Sequence, residues 1–299
     1  VLRRWIIGSA LLALALLAGC GVAVRTGYNQ APSLGTWWLD GYLGFSAEQA
    51  SRVRQSLSEL MTWHRRQELP LYAQLLQNAQ REVLTDATPA QLCRWAEVLD
   101  ERFEALMREA LPRMAPLASG FSAAQLQQLQ SRYEESNREF SQKYLQPSAE
   151  KRLENSIERA IGNAERLYGR LGAAQKQAVA EVVRAAPFDA QAWDKERRAR
   201  QGEVLALLRE LGNERASEAR ALAALQGLGE RMQRRSGVDG QAQQQRLTQL
   251  NCERAARIHN STTSAQRQRA AQWLKGWGDD VRALASQPPP ASRTSAPEG

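Results

Sequence analysis

Histidine is nearly missing from this 299-residue chain, which has only His64 and His259. A metal centre built from several imidazoles is therefore excluded. Cysteine is scarce as well: Cys20, Cys93 and Cys252 stand far apart, with no CxxC pair of the kind that holds zinc. There is no GxSxG elbow, no HExxH, no phosphate loop and no EF-hand pattern, so the familiar hydrolase, metalloprotease, nucleotide and calcium classes lose their signatures. Ile, Val and Thr are few, and no stretch alternates apolar with polar residues, which argues against a β fold. Of the 40 basic residues only 5 are Lys and 35 are Arg. That bias points to GC-rich coding more than to a surface shaped for nucleic acid, and no nucleic-acid partner is expected. No cofactor or metal is expected either.

One long apolar run is present, from Trp5 to Ala18, preceded by Arg3 and Arg4. It falls short of the roughly 20 residues that span a bilayer, and a basic start with a short apolar core reads as an export signal. The run closes on Leu17-Ala18-Gly19-Cys20, which resembles a bacterial lipobox. That resemblance implies cleavage before Cys20 and lipidation of its sulfur and its new amino terminus, several acyl chains giving stable anchoring. Gly21 follows where Asp would favour inner-membrane retention, so the expected location is the outer membrane, facing the periplasm. The expected organisation is a signal peptide over 1–19, a lipid-anchored tether with an aromatic segment over 20–45, a helical domain over 46–285 and a disordered tail over 286–299. If Cys20 carries lipid, Cys93 and Cys252 remain. In an oxidising compartment they are expected to pair as a disulfide; two separate buried thiols are the alternative.

Ala, Leu, Gln, Glu and Arg dominate, and all favour helix. Four segments read S/T-x-x-Q, the capping box of a helix start: Ser46–Gln49, Thr88–Gln91, Ser122–Gln125 and Thr263–Gln266, with Gly172–Gln175 as a degenerate copy. Their intervals are unequal, which argues against a fixed-period solenoid. Apolar residues recur at three and four after each box, as in Leu92, Trp95, Leu99, Phe103 and Leu106. Pro70, Pro112, Pro116, Pro147, Pro187 and the stretch 236–240 are expected to break helices. The expected fold is all-α, a multi-helix bundle of about eight to ten helices in antiparallel pairs.

The aromatic segment Trp37-Trp38-Leu39-Asp40-Gly41-Tyr42-Leu43-Gly44-Phe45, together with Trp63-His64-Arg65-Arg66-Gln67-Glu68-Leu69-Pro70, Asn251-Cys252 and Ile258-His259-Asn260-Ser261, resembles the DUF6279 family of uncharacterised proteobacterial lipoproteins. The resemblance implies a helical envelope protein anchored at a membrane surface and supplies no activity.

Candidate site residues follow from side-chain chemistry. Trp37, Trp38 and Tyr42 suit a membrane interface or a partner, although packing onto the body is the more economical reading. Trp63 is a further candidate binding residue; His64 and Glu68 share a helical face, and a cavity joining them to His259 and Asn260 would allow acid–base work; core histidines are the plainer alternative. Asn137 interrupts an apolar stripe, either as a site residue or as a buried amide that sets helix register. The net charge of +8 would suit anionic headgroups, or it reflects a solvated surface with Arg–Glu pairs. The favoured role is a non-catalytic envelope protein that binds a protein or lipid partner through helical grooves. The alternative is a periplasmic hydrolase centred on His64, with Glu68 and His259.

Overall fold

The computed structural model describes residues 21–233 and 240–287, so the expected signal peptide, Cys20, and the expected tail beyond Gln287 lie outside the described residues. Among the described residues there are eleven α-helices and no strand. They are α1 (Ala31–Leu43), α2 (Ala47–Trp63), α3 (Leu69–Glu82), α4 (Pro89–Ala118), α5 (Ala123–Phe140), α6 (Ala149–Tyr168), α7 (Ala173–Ala185), α8 (Ala190–Glu214), α9 (Glu218–Gln233), α10 (Gly240–Asn260) and α11 (Ser264–Ser286). Residues 21–29 form a further helical segment that leads into α1. The fold is an all-α bundle. The pairing of successive helices holds for α1–α2, α6–α7 and α8–α9, while α3 packs most extensively on the distant α11, and α4 on α9 and α10.

The S/T-x-x-Q segments open helices as expected. In each, the hydroxyl accepts from the backbone N–H three residues on, and the glutamine returns a bond to the cap's own N–H. Gly172 has no hydroxyl, but Gln175 still accepts from its N–H at 2.8 Å.

Four of these glutamines also do something that a single helix start does not require. Gln49 and Gln125 face each other: Gln49 Nε2 donates to the Gly120 carbonyl and Gln125 Nε2 to the Gly44 carbonyl, at 3.1 and 2.9 Å. Each amide also bonds the other. Gln175 and Gln266 repeat the arrangement, donating to the carbonyls of Ser261 and Arg170 at 2.8 and 3.0 Å and bonding each other at 2.7 and 3.0 Å. In every case the carbonyl stands two residues before the partner's cap. Each amide thereby uses all four of its hydrogen-bonding positions. Around the first clasp, Phe45 stacks near Phe121, with ring centres 6.5 Å apart. Gly44 turns there with φ +57°, and a Cβ would strike the Gln128 side chain at 2.6 Å. A left-handed turn so crowded suits glycine alone.

Two apolar cores lie beside the clasps. One gathers Ala115, Ala118, Leu126, Leu129, Leu205, Leu208, Leu211 and Leu228 from α4, α5, α8 and α9, and Tyr42, Leu43 and Phe121 pack on it. The other gathers Ala164, Tyr168, Val179 and Ala270 from α6, α7 and α11, with Leu171 from the α6–α7 connection. Cys93 and Cys252 are joined as a disulfide with Cα atoms 5.4 Å apart, tying α4 to α10.

Several expectations need correction. Pro147 and Pro187 do separate helices, but Pro70, Pro112 and Pro116 do not. Pro70 follows a π-helical turn, His64–Glu68, in which the Leu69 N–H reaches back five residues to the His64 carbonyl. The wider turn makes room for a ring that would otherwise meet the carbonyl four residues back. A second π-turn, Ser141–Leu145, precedes Pro147 in the same way, with Gln146 N–H on the Ser141 carbonyl at 2.9 Å. Pro112 and Pro116 sit in the last turns of α4, each at a cost of about 3 kcal/mol in a helix interior, and the neighbouring Ala115 and Ala118 are buried in a core shared with α5, α8 and α9. The expected break at 236–240 falls almost wholly outside the described residues.

Within the expected tether, residues 21–43 are helical apart from a turn at Gln30. Pro32 lies in the first turn of α1, where its missing N–H costs little. On α4, Leu99 and Phe103 belong to the expected core stripe yet stand more than half exposed, because the partners of α4 cover only the rest of that stripe.

Replacing Gln49 by Glu separates the two jobs of the residue. Glutamate still serves a capping box, but it presents only acceptors to Gln125 and to the Gly120 carbonyl. Gln49→Glu should lower stability by about 1–2 kcal/mol in urea unfolding, and Gln125→Glu should do the same. An unchanged midpoint in both variants would show that the clasp contributes nothing.

Candidate functional site

The first π-turn builds the densest polar cluster. By widening the helix it swings His64, Arg65 and Glu68 onto different sides, so Glu68 does not orient the His64 ring as an i,i+4 pair would. His64 Nδ1 instead shares a 2.9 Å hydrogen bond with the Tyr28 hydroxyl from the helical segment 21–29. The rings of Trp63, half-buried, and Tyr72 flank it with centres 6.4 and 5.5 Å away. Burial holds the His64 pKa below its usual value and pushes Tyr28 up to about 12.

Arg65 is fully buried. It donates to the Leu284 carbonyl at 2.8 Å and to Asn29 Oδ1 at 2.6 Å, and its guanidinium lies over the Tyr28 ring at 4.9 Å. Glu68, equally buried, faces Arg102 of α4 at 3.6 Å, and its Oε2 has no hydrogen-bond partner. Together these groups fasten the segment 21–29 and α11 to the turn.

His259 and Asn260 lie elsewhere. His259 Nε2 donates to the Thr85 carbonyl at 2.7 Å, which leaves Nδ1 to accept from the Tyr168 hydroxyl at 2.8 Å. Burial pushes Tyr168 up to about 12. Asn260 bonds both the N–H and the carbonyl of Ala87, at 2.8 and 3.0 Å. Both residues thus lock the α3–α4 connection. The whole of α3, 14 residues and about 20 Å long, separates them from His64. The expected cavity joining His64, Glu68, His259 and Asn260 does not form. Among the described residues no three His, Cys, Asp or Glu side chains group as metal ligands would.

Asn137 is buried. Its Nδ2 donates to Gln201 Oε1 at 2.8 Å, while its Oδ1 has no partner. Gln201 in turn lines a cavity of about 210 Å³ with Tyr133, Trp193 and Met232. The amide therefore sets the α5–α8 register from beneath a cavity wall.

The aromatic segment divides. Tyr42 turns inward, against the core and against Trp38 at 4.8 Å. Trp37 is 74% exposed and Trp38 56% exposed, against the expectation that both pack on the body. They belong to a continuous outer face made of Val22, Ala23, Thr26, Gly27, Gln30, Ser33, Leu34, Trp37, Trp38 and Gly41. No residue of that face is charged. The two charges in this stretch point elsewhere: Arg25 pairs with Asp280 at 3.1 Å, and Asp40 accepts from the Phe45 N–H at 2.7 Å. Gly21 lies so near Asp280 that a Cβ would come within 2.6 Å of its carboxylate. Sequence reading located the tryptophans but missed the face, since it took residues 20–45 for a tether with an aromatic segment and applied no helical period to them.

Residues 41–226 match DUF6279, described as a family of unknown function. The match includes Trp63–Pro70 and ends before Asn251. No curated protein and no solved structure matches the chain.

The lowered pKa of His64 has a signed consequence. On acidification the unfolded chain protonates this ring near pH 6.5, before the folded chain does. Stability is therefore complete above about pH 6.5 and declines below it, until folded His64 protonates as well. Urea midpoints compared at pH 7.5 and 5.5 should fall more for wild type than for His64→Gln. Equal declines would contradict a buried neutral ring.

Proposed function

The chain belongs to the DUF6279 family, and we propose that it is a lipid-anchored, non-catalytic envelope protein that lies against its bilayer and offers the helical body to a partner. The carrying observation is the uncharged outer face of residues 22–41, with Trp37, Trp38 and Leu34 exposed on it. A surface helix normally shows charge to water. Charged residues make up 24% of this chain, so a run of outward positions with none calls for a different neighbour. Tryptophan at such a surface suits the headgroup level of a membrane.

Position in the chain supports the same reading. The face begins two residues after Cys20, the proposed lipidation site. The helix behind it is fastened to the body by Arg25–Asp280, Tyr28–His64 and Asn29–Arg65. An anchor at Cys20 would therefore hold the domain at a set orientation instead of on a loose tether of roughly 60 Å. No helix among the described residues is long and apolar enough to cross a membrane. The outer membrane is the proposed location, on the ground that Gly21 stands where Asp would mark retention. An aspartate there would also face Asp280.

Partial burial of two tryptophans and a leucine would contribute a few kcal/mol at about 25 cal/mol per Å², beside the acyl chains. Lipidated protein reconstituted into vesicles with brominated acyl chains should lose tryptophan emission. Trp37→Ala/Trp38→Ala should remove most of that quenching, and equal quenching in both proteins would end the docked-face reading. In cells, Cys20→Ala should leave the membrane fraction; undiminished membrane residence would end the lipid-anchor reading.

A further inference from the structure

The second π-turn, Ser141–Leu145, borders a cavity of about 290 Å³ between α6 and the segment that joins α7 to α8. Three cations line it, Lys143 from the turn and Arg152 and Arg159 from α6, and no carboxylate does. Many basic side chains elsewhere in the bundle are matched to an acid one helical turn away, as in Arg198–Asp194 and Lys275–Asp279. Among the described residues these three have no ion pair. Arg152 donates to the Leu145 and Pro147 carbonyls at 3.2 and 2.7 Å, which fixes the turn. Arg159 donates to Ser156 Oγ at 2.9 Å. Asp189, next to Phe188 in the chain, is engaged in capping α8, accepting from the Ala192 N–H at 2.9 Å.

The cations meet an aromatic wall. Lys143 Nζ and the Arg159 guanidinium both lie over the Tyr144 ring, 5.3 and 5.2 Å from its centre. Phe188 meets Tyr144 edge-on at 6.1 Å and is about half exposed. Asn155 and Ser156 add hydrogen-bonding groups to the lining. At the first π-turn the chain itself supplies the complement, since Tyr28 lays its ring under Arg65 and its hydroxyl on His64. At the second, the cations and rings open onto the cavity.

We infer that this cavity binds a sugar carrying a phosphate group. The phosphate lies between Lys143 and Arg159, the apolar face of the sugar ring rests on Phe188, and the ring hydroxyls bond Asn155 and donate to Ser156 Oγ, whose own hydrogen is given to the Arg152 carbonyl at 2.8 Å. Phosphate suits a cluster of unpaired cations, and a sugar ring suits an aromatic face flanked by amide and hydroxyl groups. A fatty acid would require a longer apolar tunnel, and bare phosphate would leave the Phe188 face unused. The inference is independent of membrane docking.

Titration calorimetry on the exported, disulfide-bonded protein tests it, with glucose 1-phosphate, glucose and inorganic phosphate as probes. Glucose 1-phosphate should bind at least tenfold more tightly than either of the others. Arg159→Gln and Lys143→Gln, both exposed and without an ion pair to lose, should each weaken it about tenfold while thermal unfolding stays unchanged. Phe188→Ala should bring glucose 1-phosphate down to the affinity of phosphate. A phosphorylated glycolipid in detergent forms a second arm. Tighter binding than the free sugar phosphate identifies a lipid headgroup as the source, and equal or weaker binding identifies a soluble sugar, both in support. No binding at millimolar concentration, equal binding of phosphate and glucose 1-phosphate, or indifference to Arg159→Gln and Lys143→Gln would overturn the inference.

Discussion

The reciprocal glutamine clasp is the constraint on which the rest of this bundle depends. A primary amide has two donor hydrogens and two acceptor positions, and Gln49, Gln125, Gln175 and Gln266 use all of them. One acceptor position secures the residue's own helix start. The remaining positions secure a second helix start and the turn that precedes it. Two helix ends and two turns are thus held by one pair of side chains. Each clasp joins elements remote in sequence, 76 and 91 residues apart, and an apolar core packs beside each. Away from the clasps, helix packing mixes chain neighbours, such as α1 with α2 and α6 with α7, and distant elements, such as α3 with α11.

The π-turns follow from a second constraint, the prolines at 70 and 147. Widening the helix just before each proline keeps the helical path and re-aims the side chains of the turn. At the first turn this produces a closed knot, in which Arg65, Tyr28 and His64 bind the N-terminal helical segment to α11. At the second it leaves Lys143 and Tyr144 facing a cavity. One backbone device thus yields a fastening in one place and an open surface in another. The first also determines how the uncharged face of residues 22–41 sits on the body, because that face runs along the segment being fastened.

Helix starts were legible in the sequence because a capping box is local: hydroxyl and glutamine lie within one turn. That the boxes join in pairs was not, since it depends on which helix ends meet in space. A trace was nevertheless present in the near-identity of Gly44-Phe45-Ser46-Ala47-Glu48-Gln49 and Gly120-Phe121-Ser122-Ala123-Ala124-Gln125. Proline misled at 70, where a π-turn makes room for the ring, and at 112 and 116, where the helix runs on despite a local cost of about 3 kcal/mol each. Glycine and Pro32 misled over residues 21–36, where packing on α2 and three polar fastenings hold a helix that local propensity alone would not. His64 and His259 looked like partners because they are the only histidines; their separation is a property of α3, which stands between them. The Cys93–Cys252 pairing was legible by counting, once Cys20 was assigned to lipid.

The central claim is that the face over residues 22–41 touches lipid. Spin-label accessibility on the lipidated protein in vesicles addresses it most directly, with one nitroxide at Ser33 on that face and, in a second sample, one at the exposed Arg198 on α8. The expected result is a Ser33 label more accessible to dissolved oxygen than to a water-soluble nickel complex, and an Arg198 label with the opposite preference. A Ser33 label as open to nickel as the Arg198 label would contradict the claim.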